Sequence, residues 1–330
     1  MKILDSRKYK DCSIFDEFQG YFYYIRVLIG AFLAYRRTYR NYLEICRHVF
    51  RKQYPVKAVF RNGDQAILTS HSQVSSIALL KNRNNIQLDI PNDIITIKSV
   101  PFKKDHKVEI TLYGAISNGD VVNIFFQNSV YRSLPVMGKP VIDVGCNIAD
   151  SAVYFAMRGA EKVIGLEPYP KNYNTAMRNI EINNLSDKVD VLLAGCASKS
   201  GHVLVDPEIG SGYDTHLQHD SKGRIEVPLM TLEQILGTNN LLELKSILKM
   251  DCEGCEYDAI LSSPERVLQK FSYIQIEYHY GYKNLKNKLE ASGFDVLVSK
   301  PMIDFSYNPR RVIGYIYAKR NLKAGVNEFL

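Results

Sequence analysis

The chain has 330 residues, of which 46% are hydrophobic and 23% charged, and its formal net charge is +7. That length and balance describe a folded globular protein, one large domain plus an addition, and exclude a low-complexity chain. Residues 1–55 hold eleven Lys/Arg against five Asp/Glu, so nearly all the excess charge sits in one segment.

The opening "MKILDSRKYKDC" is too polar for a signal peptide. Six cysteines (Cys12, Cys46, Cys146, Cys196, Cys252, Cys255) are scattered along the chain. Together these features predict a reducing, cytoplasmic setting with no disulfide scaffold. The basic segment, 1–55, places Phe15, Phe18, Phe22, Ile25, Ile29 and Phe32 at three- and four-residue spacing, which predicts one or two amphipathic helices. Its most apolar stretch, Tyr21 to Tyr35, contains Arg26 and is shorter than the roughly 18 to 20 residues of a spanning helix. The expectation is a helix docked on the rest of the chain. Two sharper readings are a peripheral membrane contact through residues 14–50, with Arg36, Arg37, Arg40 and Arg47 facing anionic lipid at the inner face of the membrane, and a nucleic-acid arm.

From 56 to 138 short apolar runs ("VKAVF", "IITIKSV", "VEITLYG", "VVNIFF") predict a small antiparallel β unit, with hairpin turns at Asn62-Gly63 and Asn118-Gly119. It shows no cluster of acids, bases or metal ligands, so packing and substrate contact are its expected work.

From 139 to 330 strands and helices alternate, the pattern of a doubly wound α/β sheet whose ligands bind at the carboxyl ends of the strands. The first end carries Asp143, Gly145 and Asn147, with Asp150 or Ser151 opening the following helix. Glu167 and Pro168 end the second strand, and Cys196 lies at the end of the third. A dinucleotide turn reads G-x-G-x-x-G, whereas this one reads G-C-N-I-A-D, and Asp150 would set negative charge against a pyrophosphate. The ammonium of S-adenosylmethionine tolerates such an acid, so spacing favours that cofactor over NAD, with Glu167 accepting from the ribose hydroxyls.

In "SYIQIEYHY" strand alternation puts Tyr273, Gln275, Glu277 and His279 on one face, and Asp251 and Glu253 end the preceding strand. His279 is the expected general base and Glu253 its main rival, with Asp251 and Glu277 beside them. Two alternatives stand: Glu277 and His279 merely cap the strand, or a divalent metal binds Asp251, Glu253 and His279. Cys252-x-x-Cys255 has redox or zinc spacing but is a single pair, and packing is the expected role of both. "GSGYDTHLQHD", with His216 and His219, reads as a loop over the site or an ordinary surface loop.

The motifs "VIDVGCNIADSAVYFA", "VIGLEPYPKNY", "VPLMTLEQIL", "ILKMDCEGCEYDAIL" and "IQIEYHYG", in that order between Lys139 and Lys319, resemble the FkbM-type methyltransferases. The resemblance implies a class I methyltransferase Rossmann-like sheet of seven mostly parallel strands, following the N-terminal helical segment and the small β unit. It also implies S-adenosylmethionine-dependent O-methylation of a sugar, glycan or related small-molecule hydroxyl. Asp143, Gly145, Asn147 and Glu167 would hold the cofactor, and the Asp251-x-Glu253-Gly254 turn would border the reacting centre. The family usually has Gly where Ala149 stands, in a turn where added bulk could crowd the cofactor's carboxylate. Two other function classes follow: an RNA methyltransferase, prompted by the basic segment, and a cofactor-binding protein with a degenerate active site, prompted by Ala149.

Overall fold

The computed structural model describes residues 14–103, 106–126, 129–209, 224–241, 245–304 and 311–321. The loop expected over 210–220, with His216 and His219, lies outside the described residues, as does Cys12.

Two helices come first, α1 (Ile14–Thr38) and α2 (Tyr42–Arg51). Among the described residues no helix is long and apolar enough to cross a membrane. Strands β1 (Val56–Val59) and β2 (Gln65–Leu68) pair antiparallel across Asn62-Gly63, where Gly63 takes φ 98°. Helix α3 (His71–Leu80) starts at Ser70, whose hydroxyl accepts the Gln73 N–H. The antiparallel strands β3 (Ile86–Asp89), β4 (Ile94–Lys103) and β5 (His106–Tyr113) follow.

The next two expectations fail. Asn118-Gly119 ends a helical turn, α4 (Ala115–Asn118), with Gly119 at φ 91° as its cap, and "VVNIFF" forms α5 (Val121–Phe125) rather than a strand. Asn-Gly tolerates a positive φ equally well at a hairpin turn and at a helix end. The buried residues of α5, Val121 and Ile124, are three apart, which is helical spacing.

The alternating region runs β6 (Pro140–Val144), α6 (Asp150–Met157), β7 (Lys162–Leu166), α7 (Pro170–Ile182) and β8 (Val189–Leu192). An unanticipated three-stranded sheet comes next: β9 (Gly195–Cys196), β10 (Gly201–Val205) and β11 (Ile225–Met230), in the order β10-β11-β9. Then come α8 (Leu232–Thr238), β12 (Ser246–Met250), α9 (Cys255–Ser262), α10 (Glu265–Leu268), β13 (Phe271–Tyr278), α11 (Lys283–Ala291), β14 (Phe294–Val298), β15 (Met302–Asp304) and β16 (Arg311–Arg320).

The large sheet has the order β14-β16-β13-β12-β6-β7-β8, with β15 added on β16. Five neighbouring strands are parallel, and β16 runs antiparallel to β13 and β14. This is the seven-stranded, mostly parallel class I methyltransferase sheet. Every residue of β6 and β12 is buried, as befits central strands covered on both faces. Strand order reverses between these two, so their carboxyl ends flank the crevice where such sheets bind ligands.

Asn179 of α7 and Asn183 at its C-cap fix the N-terminal β unit beside that crevice. Asn179 and Asn183 exchange hydrogen bonds of 2.7–3.1 Å with the backbones of Tyr113 and Thr111, so their amides continue the ladder along the free edge of β5. The β5–α4–α5 segment is thereby carried over the end of β6.

Candidate active site

The turn after β6 contains three left-handed residues, Gly145 (φ 74°), Asn147 (φ 50°) and Ala149 (φ 64°). A Cβ built on Gly145 would overlap the carbonyl oxygen of Asp251, so glycine is required where the turns after β6 and β12 cross. Ala149 is fully buried at the N-cap of α6 and does not line the cavity. Its methyl group therefore crowds no ligand, and its cost is a strained backbone.

A single cavity runs along the strand ends. At one end stand Glu167, Pro168, Asn172 and Cys196; Gly145, Asn147, Asp150 and Ser151 line the middle; Asp251, Glu253 and Glu277 line the far end. Glu167 accepts the Tyr169 N–H at 2.9 Å and the Asn147 N–H at 3.0 Å, which aims its carboxylate. Burial outweighs those bonds and pushes its pKa up to about 7. Asp150, likewise raised by burial to about 6, accepts the Asn118 amide at 2.9 Å, and Asn118 accepts the Asn147 amide at 2.8 Å. The buried Asn147 Oδ1 has no hydrogen-bond partner among the described residues.

Asp143, expected to hold the cofactor, sits behind the cavity wall. Strand register sets it beside Lys249, whose Nζ is 2.9 Å from Asp143 Oδ1 and donates to the Gly145 carbonyl at 2.8 Å. Ser151 Oγ donates to the other carboxylate oxygen at 2.6 Å. Asp143 thus acts through its neighbours. Burial works to discharge Lys249, but Asp143 and Asp251 more than offset it, so the amine is held protonated.

His279 also departs from expectation. β13 ends at Tyr278, so alternation does not extend to His279, which is buried behind the acidic turn and outside the cavity wall. Its Nδ1 is 3.5 Å from Glu256 Oε1, and its Nε2 lies 3.6 Å from Glu253 Oε1 and 3.8 Å from Asp251 Oδ1. Burial opposes its charge, yet Glu256, Glu253 and Glu277 outweigh burial and raise the pKa to about 10. An imidazolium already holding its proton is no general base at neutral pH. Glu256 accepts the Cys252 and Gly254 N–H groups at 2.7 and 2.8 Å and so shapes the turn. Cys252 and Cys255, expected as packing residues, are joined by a disulfide across that turn. Glu253 (φ 58°) and Gly254 (φ 122°) fold the turn back and leave the Cα atoms of Cys252 and Cys255 5.5 Å apart.

The metal alternative does not fit this donor set. Asp251, Glu253 and His279 do converge, but Arg311 Nη1 holds Glu253 at 2.8 Å and Glu256 faces the other ring nitrogen of His279 at 3.5 Å, so these side chains are already engaged with protein charges.

Sequence reasoning missed Asn118, Asp120, Tyr131, Lys249 and Tyr315 in the cavity wall, and Glu256 and Arg311 behind it. Asp120 and Glu277 are pushed well above the ordinary carboxyl range by burial first, then by neighbouring acids, Asp150 for the former and Asp251 for the latter. Burial raises Glu253 as well.

Residues 143–296 match the methyltransferase FkbM domain. Segments of 62 residues are 39% identical to the ribosomal protein L11 methyltransferases of Vibrio parahaemolyticus and Vibrio vulnificus, covering 19% of this chain and 21% of each relative. The chain thus spans about a fifth of the length of those curated relatives. Among solved structures, the methyltransferase FkbM from Methylobacillus flagellatus is 16% identical with a TM-score of 0.39, over 57% of this chain and 46% of that one. The O-methyltransferase from Bacillus cereus in complex with SAH is 15% identical with a TM-score of 0.34, over 56% and 74%. At such scores the fold rests on the strand order described above. The similarity to the methyltransferase FkbM domain thus extends over residues 143–296, just under half of the chain.

Proposed function

We propose that the protein uses S-adenosylmethionine to methylate a hydroxyl of a sugar or glycan. One observation carries this reading: a single cavity joins Glu167, placed for a ribose diol, to a far end rich in carboxyl groups, Asp120, Asp251, Glu253 and Glu277. That distribution suits a nucleoside whose other end is cationic, a sulfonium and an ammonium, and opposes a pyrophosphate. The free Asn147 Oδ1 offers an acceptor for the ammonium. S-adenosylmethionine supplies the electrophilic methyl group; Glu167, Asn147 and Asp150 bind and orient it.

Methylating an alcohol forms an O–CH3 bond, breaks an S–CH3 bond and releases the hydroxyl proton, which needs a base in the cavity wall. Glu277, in the cavity wall, supplies that base in its ionised form, which a sulfonium bound nearby would favour against the burial and the Asp251 charge that otherwise keep it protonated. His279 and Arg311 position the acidic turn from behind. The rings of Tyr131 and Tyr315 in the same wall suit the apolar face of a sugar.

The test is transfer of a radiolabelled methyl group to a panel of glycans and lipid-linked sugars. A base-stable methyl ether is the expected product, and Glu277→Gln is expected to lower turnover at least 100-fold while retaining S-adenosylhomocysteine binding. Labelling of RNA or protein instead, or full activity in Glu277→Gln, would refute this reading.

A further inference from the structure

The apolar stripe that periodicity predicts for α1 faces away from the protein. Phe15 is 68% exposed, Phe18 62%, Phe22 67%, Ile25 49%, Ile29 55% and Phe32 40%. The helix is held elsewhere: Gly20 is buried against Ile303 of β15, Gln19 accepts from Lys300, and Tyr35, Thr38 and Tyr39 bond to α3. On α2, Leu43 and Phe50, seven residues apart on one face, are 65% and 90% exposed with Arg47 between them. Arg26, Arg36, Arg37, Arg51 and Lys52 are exposed along the same two helices. An uncovered apolar surface of this extent on a protein is an interaction site.

We propose that α1 and α2 dock on an anionic lipid bilayer, α1 lying in the interfacial plane. Its 25 residues span about 37 Å. The Phe and Ile side chains enter the acyl boundary, and the arginines meet lipid phosphates. The three-four spacing of the stripe would also suit a two-helix seam with a second copy. Such a seam, however, leaves Tyr23, Val27, Leu28, Leu43 and Phe50 bare, because exposure from Tyr21 to Gly30 runs all round the helix. A seam also offers the basic residues few anions, since α1 and α2 carry only Asp16, Glu17 and Glu44 between them. A bilayer edged with phosphate meets both demands.

The surface lies near the site. Ile303, against Gly20, pairs in register with Val312 of β16, and the adjacent Arg311 holds Glu253 of the cavity wall. This chain of contacts ties α1 to the acidic end of the cavity; that a lipid-linked acceptor enters from this side rests on the proposed function, whereas lipid binding does not.

The experiment is co-sedimentation of the full chain with vesicles of phosphatidylcholine alone and of phosphatidylcholine mixed with phosphatidylglycerol, alongside analytical ultracentrifugation without lipid. Binding to the mixed vesicles is expected. Phe18→Glu/Phe22→Glu/Ile25→Glu should abolish it, and Arg36→Gln/Arg37→Gln/Arg47→Gln should lower partitioning on the order of 100-fold, with melting temperatures unchanged in both. Absence of binding, equal binding to both vesicles, or a lipid-indifferent dimer dissociated by the first variant would overturn the proposal. S-adenosylhomocysteine titration of the same preparations separates this failure from failure of the methyltransferase reading.

Discussion

Replacing Lys249 by methionine keeps an unbranched chain one atom shorter and removes the cation that neutralises Asp143. At 2.9 Å the attraction between them is about 6 kcal/mol for an effective dielectric constant near 20. Withdrawing two ions from water cancels much of that, so the pair adds little over an apolar replacement. Removing one partner alone is different. Asp143 is fully buried, and its unpaired charge plus the lost bond to the Gly145 carbonyl should cost roughly 3–5 kcal/mol. The double variant Asp143→Asn/Lys249→Met leaves no buried charge, keeps an acceptor for Ser151, and should recover most of the loss. Urea unfolding of the four proteins in the cycle measures this directly. A Lys249→Met cost under about 1 kcal/mol, or a double variant no more stable than the single, would refute the role given to this pair.

Ala149→Gly should stabilise the fold by up to about 1 kcal/mol, since relief of the left-handed strain (~1–2 kcal/mol) exceeds the added freedom of the unfolded chain. It should leave cofactor affinity unchanged, and calorimetry showing tighter binding would restore the crowding explanation. Gly145→Ala should both destabilise the protein and abolish cofactor binding, because the new Cβ meets the Asp251 backbone; a thermal melt and a titration at wild-type values would contradict it. Without ligand, stability should fall as pH rises from 5 to 9. Glu167 and Asp150, with native pKa values of about 7 and 6, keep protons that the unfolded chain has released, and His279, at about 10, adds stability that is lost as pH rises through that value. Urea midpoints at pH 5, 7 and 9 that rise instead would reverse these assignments.

Strand-end grammar made much of the cavity wall legible: Gly145, Asn147, Asp150, Ser151, Glu167, Pro168 and Cys196 all line it. The same grammar misplaced Asp143 and His279, because it gives a residue's position along a strand and not what packs behind it. Lys249 was overlooked although a lone lysine in the apolar run "SILKM" demands a buried counter-charge, and the register of β6 against β12 supplies Asp143. Val121, Ile124 and Phe125 carried a helical spacing that composition alone disguised as a strand. Asn118 and Asp120 reach the cavity through the amide ladder from Asn179 and Asn183, a contact between distant segments that periodicity does not encode.

In the proposed function the strand-end cavity holds S-adenosylmethionine with Glu167 on its ribose. Calorimetric titration of the purified protein with S-adenosylmethionine, S-adenosylhomocysteine and NAD, repeated with Glu167→Ala, tests it most directly. Micromolar binding of the first two, lost in the variant, and no binding of the third is expected. Preferential NAD binding, or S-adenosylhomocysteine affinity indifferent to Glu167→Ala, would contradict it.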